Sequence, residues 1–269
     1  MISFNRWPPP VIPTVEEELL YPASDEVKLA ESTRQFDKIV LLYNNLELLF
    51  ADRADVIVAG CLFWYPVETR PEINQAPDVM VIIGRPKGSR YAYMQWNEEN
   101  VAPQVVFDIS APNPRATHLK QQFDFYDEYG VEEYYRYDLE RDRWQGWLRN
   151  KNGLLEPISQ MNGWHSPRLG IRFDITGREL RLLHPSGASF QTFSTIQQRL
   201  KEVELRMAAA LDRVDAAMER ARAANEWAET TATRCAQAEI RAKIDAKARA
   251  EAEKRAQELE AKLRAAGIQ

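Results

Sequence analysis

Cysteine and histidine are scarce in this chain. Its 269 residues include 2 Cys, Cys61 and Cys235, and 3 His, His118, His165 and His184. Two cysteines in segments of unlike character, the first in an apolar strand-like run and the second in a long helical one, build neither a disulfide framework nor a thiolate zinc site. Scattered histidines argue equally against an imidazole-based metal centre, so any metal here is expected to be held by oxygen. Long apolar runs are missing too: none approaches the ~20 residues that cross a bilayer. The opening residues, Met1 to Pro10, lack the charged, apolar and small-residue progression of a secretory signal. The expectation is a cytoplasmic protein with no membrane partner.

Excess positive charge is also lacking. The net charge is −5, and it is unevenly spread. From Ser194 onward 15 Lys or Arg stand against 13 Asp or Glu, which leaves 20 against 27 in the first 193 residues. An acidic body excludes a general nucleic-acid coat protein, whose affinity comes from neutralising phosphates. An enzyme that meets nucleic acid through a local cleft and a divalent ion remains open.

What is present falls into three parts. Residues 1–27 are rich in proline and then acidic, and read as an N-terminal arm. Residues 28–193 alternate helical and strand-like patterns and carry the aromatic residues of a substantial core, so an α/β domain with a mixed sheet flanked by helices is expected. Residues 194–269 change character: Pro and Gly are absent from Ser194 to Ala266, and Ala, Glu, Arg and Lys dominate. Steps of four and three from Ile196 through Leu200, Val203, Met207, Ala210 and Val214 form a heptad seam. The pattern predicts a long coiled-coil helix pairing in a homodimer, with an unpaired mobile helix as the alternative. At ~1.5 Å per residue such a helix reaches about 110 Å.

Within the middle part, a helix is expected from Leu29 to Phe50, with Phe36, Ile39, Val40, Tyr43, Leu46, Leu49 and Phe50 on its apolar side. Ala54 to Tyr65 reads as one strand with a bulge at Gly60. The basic turn Arg85-Pro86-Lys87-Gly88-Ser89-Arg90 reads as a solvated loop or a phosphate contact. Asn150-Lys151-Asn152-Gly153 is a hairpin signal.

Two runs carry the chemistry. Pro77-Asp78-Val79-Met80-Val81-Ile82-Ile83 and Val105-Val106-Phe107-Asp108-Ile109-Ser110 are rich in β-branched residues, as strands covered on both faces are. An unpaired carboxylate on such a strand costs several kcal/mol or neutralises itself, so one acid on each of two strands asks for a cation. The helical run from His118 to Tyr126 follows and supplies Lys120. Each residue also has a plain structural reading. Asp78 could cap a strand, Asp108 could pair with Arg115 or Lys120, Lys120 could be a surface lysine, and Glu31 could complement a helix start.

The order helix, strand, Pro-Asp strand, acidic strand, helix resembles the PD-(D/E)XK nuclease superfamily. Within it the chain is similar to a large bacterial restriction-endonuclease family, formerly a domain of unknown function. The matching stretches are Leu29-Ala30-Glu31-Ser32, Ala76-Pro77-Asp78-Val79, Pro103 to Ile109, Pro112, Lys120, Phe125-Tyr126 through Gly130-Val131-Glu132-Glu133-Tyr134-Tyr135, and Ser166-Pro167-Arg168-Leu169-Gly170. Two departures stand out: Asp108 replaces the family's usual Glu, and Ser110 stands where the superfamily's lysine would be.

The resemblance implies a restriction-endonuclease-like fold and hydrolysis of phosphodiester bonds in DNA with Mg²⁺, or Mn²⁺ in its place. Asp78, Asp108 and the Ile109 carbonyl are the implied metal ligands. Lys120 is the candidate substitute for the missing lysine, and Glu31 the candidate holder of a metal-bound water. The other class of function is a non-catalytic head whose C-terminal helix assembles partners.

Overall fold

The computed structural model describes residues 14, 20–22, 30–110, 114–175 and 181–265, with the side chains of the last helix described to residue 262. The arm expected over residues 1–27 lies mostly outside the described residues, as do the turns at Pro112 and Gly177. The chain divides into two units, Met1–Ile196 and Gln197–Gln269.

The first unit opens with α1, Thr33–Leu49. Ser32 caps it, its hydroxyl accepting from the Gln35 backbone N–H at 3.2 Å, which satisfies one of the otherwise orphaned first-turn donors. Glu31, expected inside the helix, precedes it and is exposed. Ile39, Leu42 and Leu46 recur at helical spacing and are buried, with Phe50 just beyond the end. Phe36 and Tyr43, also expected on the apolar side, are 47% and 36% exposed. They lie off the stripe that Ile39, Leu42 and Leu46 define.

Six strands form the main sheet, in the order β1 (Val56–Gly60), β3 (Val79–Ile83), β5 (Val105–Ser110), β6 (Glu133–Asp138), β7 (Arg143–Arg149) and β8 (Leu155–Pro157). All neighbours run antiparallel except β5 and β6. A parallel pair needs a crossover, and α2, Ala116–Glu128, supplies it. Gly130, at φ +91°, follows α2 in the left-handed conformation that glycine adopts without penalty.

Successive strand side chains point to opposite faces, so the sheet has two cores. On one face Val56, Val58, Val79, Val81, Val105, Phe107, Ile109 and Tyr135 pack with α1 and with the β-pair β9 (Arg172–Asp174) and β10 (Arg181–Leu183). On the other, Ile57, Met80, Ile82, Val106 and Tyr134 pack under Phe125 and Tyr126 of α2. Fully burying a side chain of this size stabilises the fold by about 1.5–3 kcal/mol.

Two readings of the sequence are corrected. The strand expected from Ala54 to Tyr65 stops at Gly60, because Cys61 takes φ +50°. The chain resumes as β2, Trp64–Tyr65, in a separate parallel pair with β4, Tyr93–Met94. The basic turn after β3 is neither a solvated loop nor a free phosphate contact. Arg85 and Arg90 hold the buried carboxylate of Glu98 at 2.9 and 2.7 Å, and the Lys87 ammonium donates to the Phe50 carbonyl at 2.8 Å. Burial would push the Glu98 carboxyl up, but hydrogen bonds from Arg90 and Arg85 bring it below its ordinary value.

The second unit holds all but the first four residues of α3, Phe193–Ala265, one uninterrupted helix of 73 residues. Its large apolar side chains, Leu200, Val203, Met207, Leu211, Val214, Met218 and Trp227 among them, are all exposed.

Candidate active site

Asp78 and Asp108 meet. The antiparallel register of β3 and β5 pairs Val79 with Phe107, and one further step sets Asp78 opposite Asp108. The Ile109 N–H donates to Asp78 Oδ2 at 2.5 Å, and the Asp78 N–H donates to Asp108 Oδ1 at 3.4 Å. Both carboxyls lie on the sheet face covered by α2, since Asp78 shares strand parity with Met80 and Asp108 with Val106. Asp108 is buried and Asp78 partly exposed.

Two tyrosines close the site from its buried side. The Tyr126 hydroxyl, from α2, donates to Asp108 Oδ1 at 3.3 Å, and the Tyr134 hydroxyl, from β6, donates to Oδ2 at 3.1 Å. Their rings pack at 4.8 Å, and Tyr134 stacks on Trp147 at 5.0 Å. Burial and the nearby Asp108 carboxyl push both phenols well above their ordinary value, so they stay neutral and act as donors.

The two acids share one electrostatic problem. Burial raises the Asp78 carboxyl, and repulsion from Asp108 raises it further, against the pull of the Ile109 N–H. Burial also raises Asp108. The Asp78 N–H, the two tyrosines and the charge of Arg136 work the other way. Two adjoining carboxylates in a low-dielectric pocket cannot both ionise cheaply without a cation. A carboxylate offers about four lone-pair sites. Those not used by the hydrogen bonds above remain for an ion that prefers oxygen and keeps several of its own waters, as Mg²⁺ does. The pair therefore fits the implied divalent ion.

The Ile109 carbonyl, the implied third ligand, accepts from Gln35 Nε2 of α1 at 2.9 Å. Gln35 is itself anchored, its Oε1 accepting from the Glu31 N–H at 2.8 Å. The Glu31 carboxylate and the Lys120 ammonium make no hydrogen bond to Asp78 or Asp108 among the described residues. Lys120 lies on the outer side of α2, its side chain 73% exposed and ion-paired with Asp124 one turn on. No group of three or more His, Cys, Asp or Glu side chains suited to a metal ion occurs among the described residues. What the two strands bring together is an acid pair with a backbone carbonyl.

Gln35, Tyr126 and Tyr134 are the site residues that sequence reasoning did not assign. Only Tyr134 carried a signal, through the alternation of Glu133 to Asp138, which puts it on the same side as its β5 neighbours.

A mixed sheet between helices, with an acid at the start of one strand and a second acid on its neighbour, is the architecture of a nuclease-like α/β domain. The model of the Uma2 family, described as "Putative restriction endonuclease", matches residues 30–181, and the chain belongs to that family. A solved structure described as "a putative nuclease belonging to DUF820", from Anabaena variabilis, aligns with a TM-score of 0.40 at 11% identity, over 58% of this chain and 89% of that one. No curated protein matches. Among the described residues, no helix is long and apolar enough to cross a membrane.

Proposed function

We propose that the protein is a metal-dependent endonuclease that hydrolyses phosphodiester bonds in DNA, with Asp78 and Asp108 holding Mg²⁺, or Mn²⁺, and the Ile109 carbonyl as the third protein ligand. The observation that carries this reading is the acid pair itself, two adjoining carboxyls held by the Ile109 N–H on Asp78 and the Asp78 N–H on Asp108, both raised by burial. Membership of a restriction-endonuclease family supports it. When bound, the ion supplies positive charge at the phosphate and a water acidic enough to attack near neutral pH.

The chain's own residues define the rest of the chemistry. Asp78 is the more accessible acid and faces incoming ligand. Asp108 is fixed by Tyr126 and Tyr134, so its orientation is set before anything binds. Pre-organisation of this kind costs no rearrangement at the moment of reaction.

The test is incubation of supercoiled plasmid with the full chain and Mg²⁺ or Mn²⁺, beside Asp78→Ala. Nicking by the wild type that disappears in the variant is expected. Equal nicking by both would remove the site assignment.

A second reading keeps the fold as a non-catalytic head and gives the work to α3. The outward position of Lys120 and the exposed apolar residues along α3 favour it. Calorimetry separates the two, because a head of this kind takes up no divalent ion. In either case we read α3 as pairing with α3 of a second copy, through the seam that begins at Ile196 and Leu200.

A further inference from the structure

We propose that Arg136 is the phosphate-binding cation of this site, taking the role for which Lys120 is poorly placed. The inference rests on the nuclease reading for its chemistry but on Arg136's own surroundings for its evidence.

Arg136 stands beside the acid pair by register. The parallel pairing of β5 and β6 matches Asp108 with Arg136, one strand spacing of ~4.8 Å away. It shares strand parity with Tyr134, two residues earlier, whose hydroxyl reaches Asp108. Asp78, Asp108 and Arg136 therefore form one row across three strands, on the face that α2 covers.

Its guanidinium is held but not neutralised. Nη2 donates to Gln145 Oε1 at 2.8 Å, from the residue paired with it on β7, and the guanidinium carbon lies 5.2 Å from the centre of the Trp147 ring. Gln145 is a neutral partner and Trp147 supports one face of the plane. No ion pair to Arg136 occurs among the described residues. Arg34, Arg53, Arg70, Arg85, Arg90, Arg141, Arg149 and Arg168, by contrast, each rest on a carboxylate.

The side chain is half-buried, so it keeps access to solvent while its fork is oriented. Guanidinium presents five N–H donors in a fixed plane, and Gln145 occupies one side of it. The remaining donors match two oxygens of a phosphodiester, the bidentate geometry for which arginine is suited and lysine is not. A phosphate drawn to the acid pair through a divalent ion would thus meet a fixed positive group on the neighbouring strand. Positive charge placed where the phosphate gains negative charge lowers the barrier to its cleavage.

The experiment measures binding and cleavage separately. Affinity of the full chain for a short labelled DNA duplex is followed by fluorescence anisotropy across a KCl series, with Ca²⁺ replacing Mg²⁺. Wild type is compared with Arg136→Gln, Arg136→Met and Arg136→Lys, each checked by thermal melting. Arg136→Met keeps the apolar stem over Trp147 should Arg136→Gln fail to fold. Loss of one phosphate contact lowers the slope of log affinity against log salt by about 0.9. The neutral variants are expected to show that drop and to bind about tenfold or more weakly, as loss of a charge-assisted hydrogen bond implies. Arg136→Lys is expected to restore the slope while recovering only part of the plasmid cleavage. Wild-type slope and affinity in folded neutral variants would overturn the inference, whatever the cleavage result. A duplex bound through Arg136 but never cut with Mg²⁺ or Mn²⁺ would instead overturn the nuclease reading and leave the phosphate contact standing. A wild type that binds no duplex would overturn both.

Discussion

Asp78 and Asp108 are locked together through the main chain, the Ile109 N–H donating to Asp78 Oδ2 at 2.5 Å while the Asp78 N–H reaches Asp108 Oδ1 at 3.4 Å. Each acid is thus held by the backbone next to the other. Neither can swing away to relieve repulsion without breaking a hydrogen bond between β3 and β5. The sheet imposes the charge conflict, which the proposed cation would resolve.

Stability without metal should fall as pH rises. Both carboxyls are raised in the folded state, so the fold holds their protons more tightly than the unfolded chain does. Their contribution is fully present below about pH 4, the unfolded carboxyl range, and is lost as pH rises through the higher folded values. Asp78→Asn keeps an oxygen for the Ile109 N–H and removes the charge. In EDTA at pH 8 it should melt above wild type, by about 1–2 kcal/mol in stability, with little difference at pH 4. Mg²⁺ should raise the wild-type melting temperature and leave Asp78→Asn nearly unmoved. A variant less stable than wild type at pH 8 would contradict this account.

The tyrosine donors make a separate prediction. Tyr134→Phe deletes the hydroxyl that donates to Asp108 Oδ2 and leaves the ring on Trp147. A hydrogen bond to a charged group contributes about 1.5–3 kcal/mol. The cost should be near that when Asp108 is ionised and smaller in acid, where the protonated carboxyl asks for less. Urea unfolding at two pH values measures it. A pH-independent cost would mean that the tyrosine does not serve the charged form.

The acid pair was legible because its two residues lie in β-branched runs, where a carboxylate is out of place. The sheet, α2 and the hairpin at Gly153 were legible for a similar reason, since period and turn residues are local signals. The partners of the acids were not. Tyr126 and Tyr134 look like ordinary core aromatics, and only the crossover from β5 through α2 to β6 brings their hydroxyls to Asp108. Gln35 is one glutamine in a polar helix start until α1 is laid over β5. Lys120 was suggested by the resemblance, but the face of α2 that buries Phe125 and Tyr126 turns it outward. The break after Gly60 was hidden because Cys61 to Tyr65 is as apolar as the strand before it.

Gln35→Ala should cost stability out of proportion to an ordinary helix residue. Gln35 is buried, accepts from the Glu31 N–H and donates to the Ile109 carbonyl, so it ties the approach to α1 onto β5. Its removal leaves buried polar groups without partners, at about 1–3 kcal/mol for each. The same change frees the Ile109 carbonyl. If that carbonyl is a metal ligand, Mg²⁺ affinity by calorimetry should hold or rise while the melting temperature falls. A parallel fall in both would show that Gln35 positions the carbonyl for the ion.

The long helix gives the last prediction. Leu200, Val203 and Met207 are 58%, 58% and 64% exposed on α3, at the four-and-three spacing of a coiled-coil seam. A helix of this length carrying so exposed an apolar stripe gains little stability alone, and pairing buries the stripe. Light scattering on the full chain should therefore return twice the 31.1 kDa of one copy. Leu200→Lys, Val203→Lys and Met207→Lys together place three like charges on each strand of the seam, and should return a single copy with lower helical signal by circular dichroism. The alanine-rich middle of the seam, from Ala217 to Ala228, packs closely but buries little area per residue. The dimer should accordingly be weak enough to dissociate on dilution, with helical signal falling in step. A wild-type chain that remains single at every concentration, or a triple-lysine variant that stays paired, would remove this seam as the dimer contact.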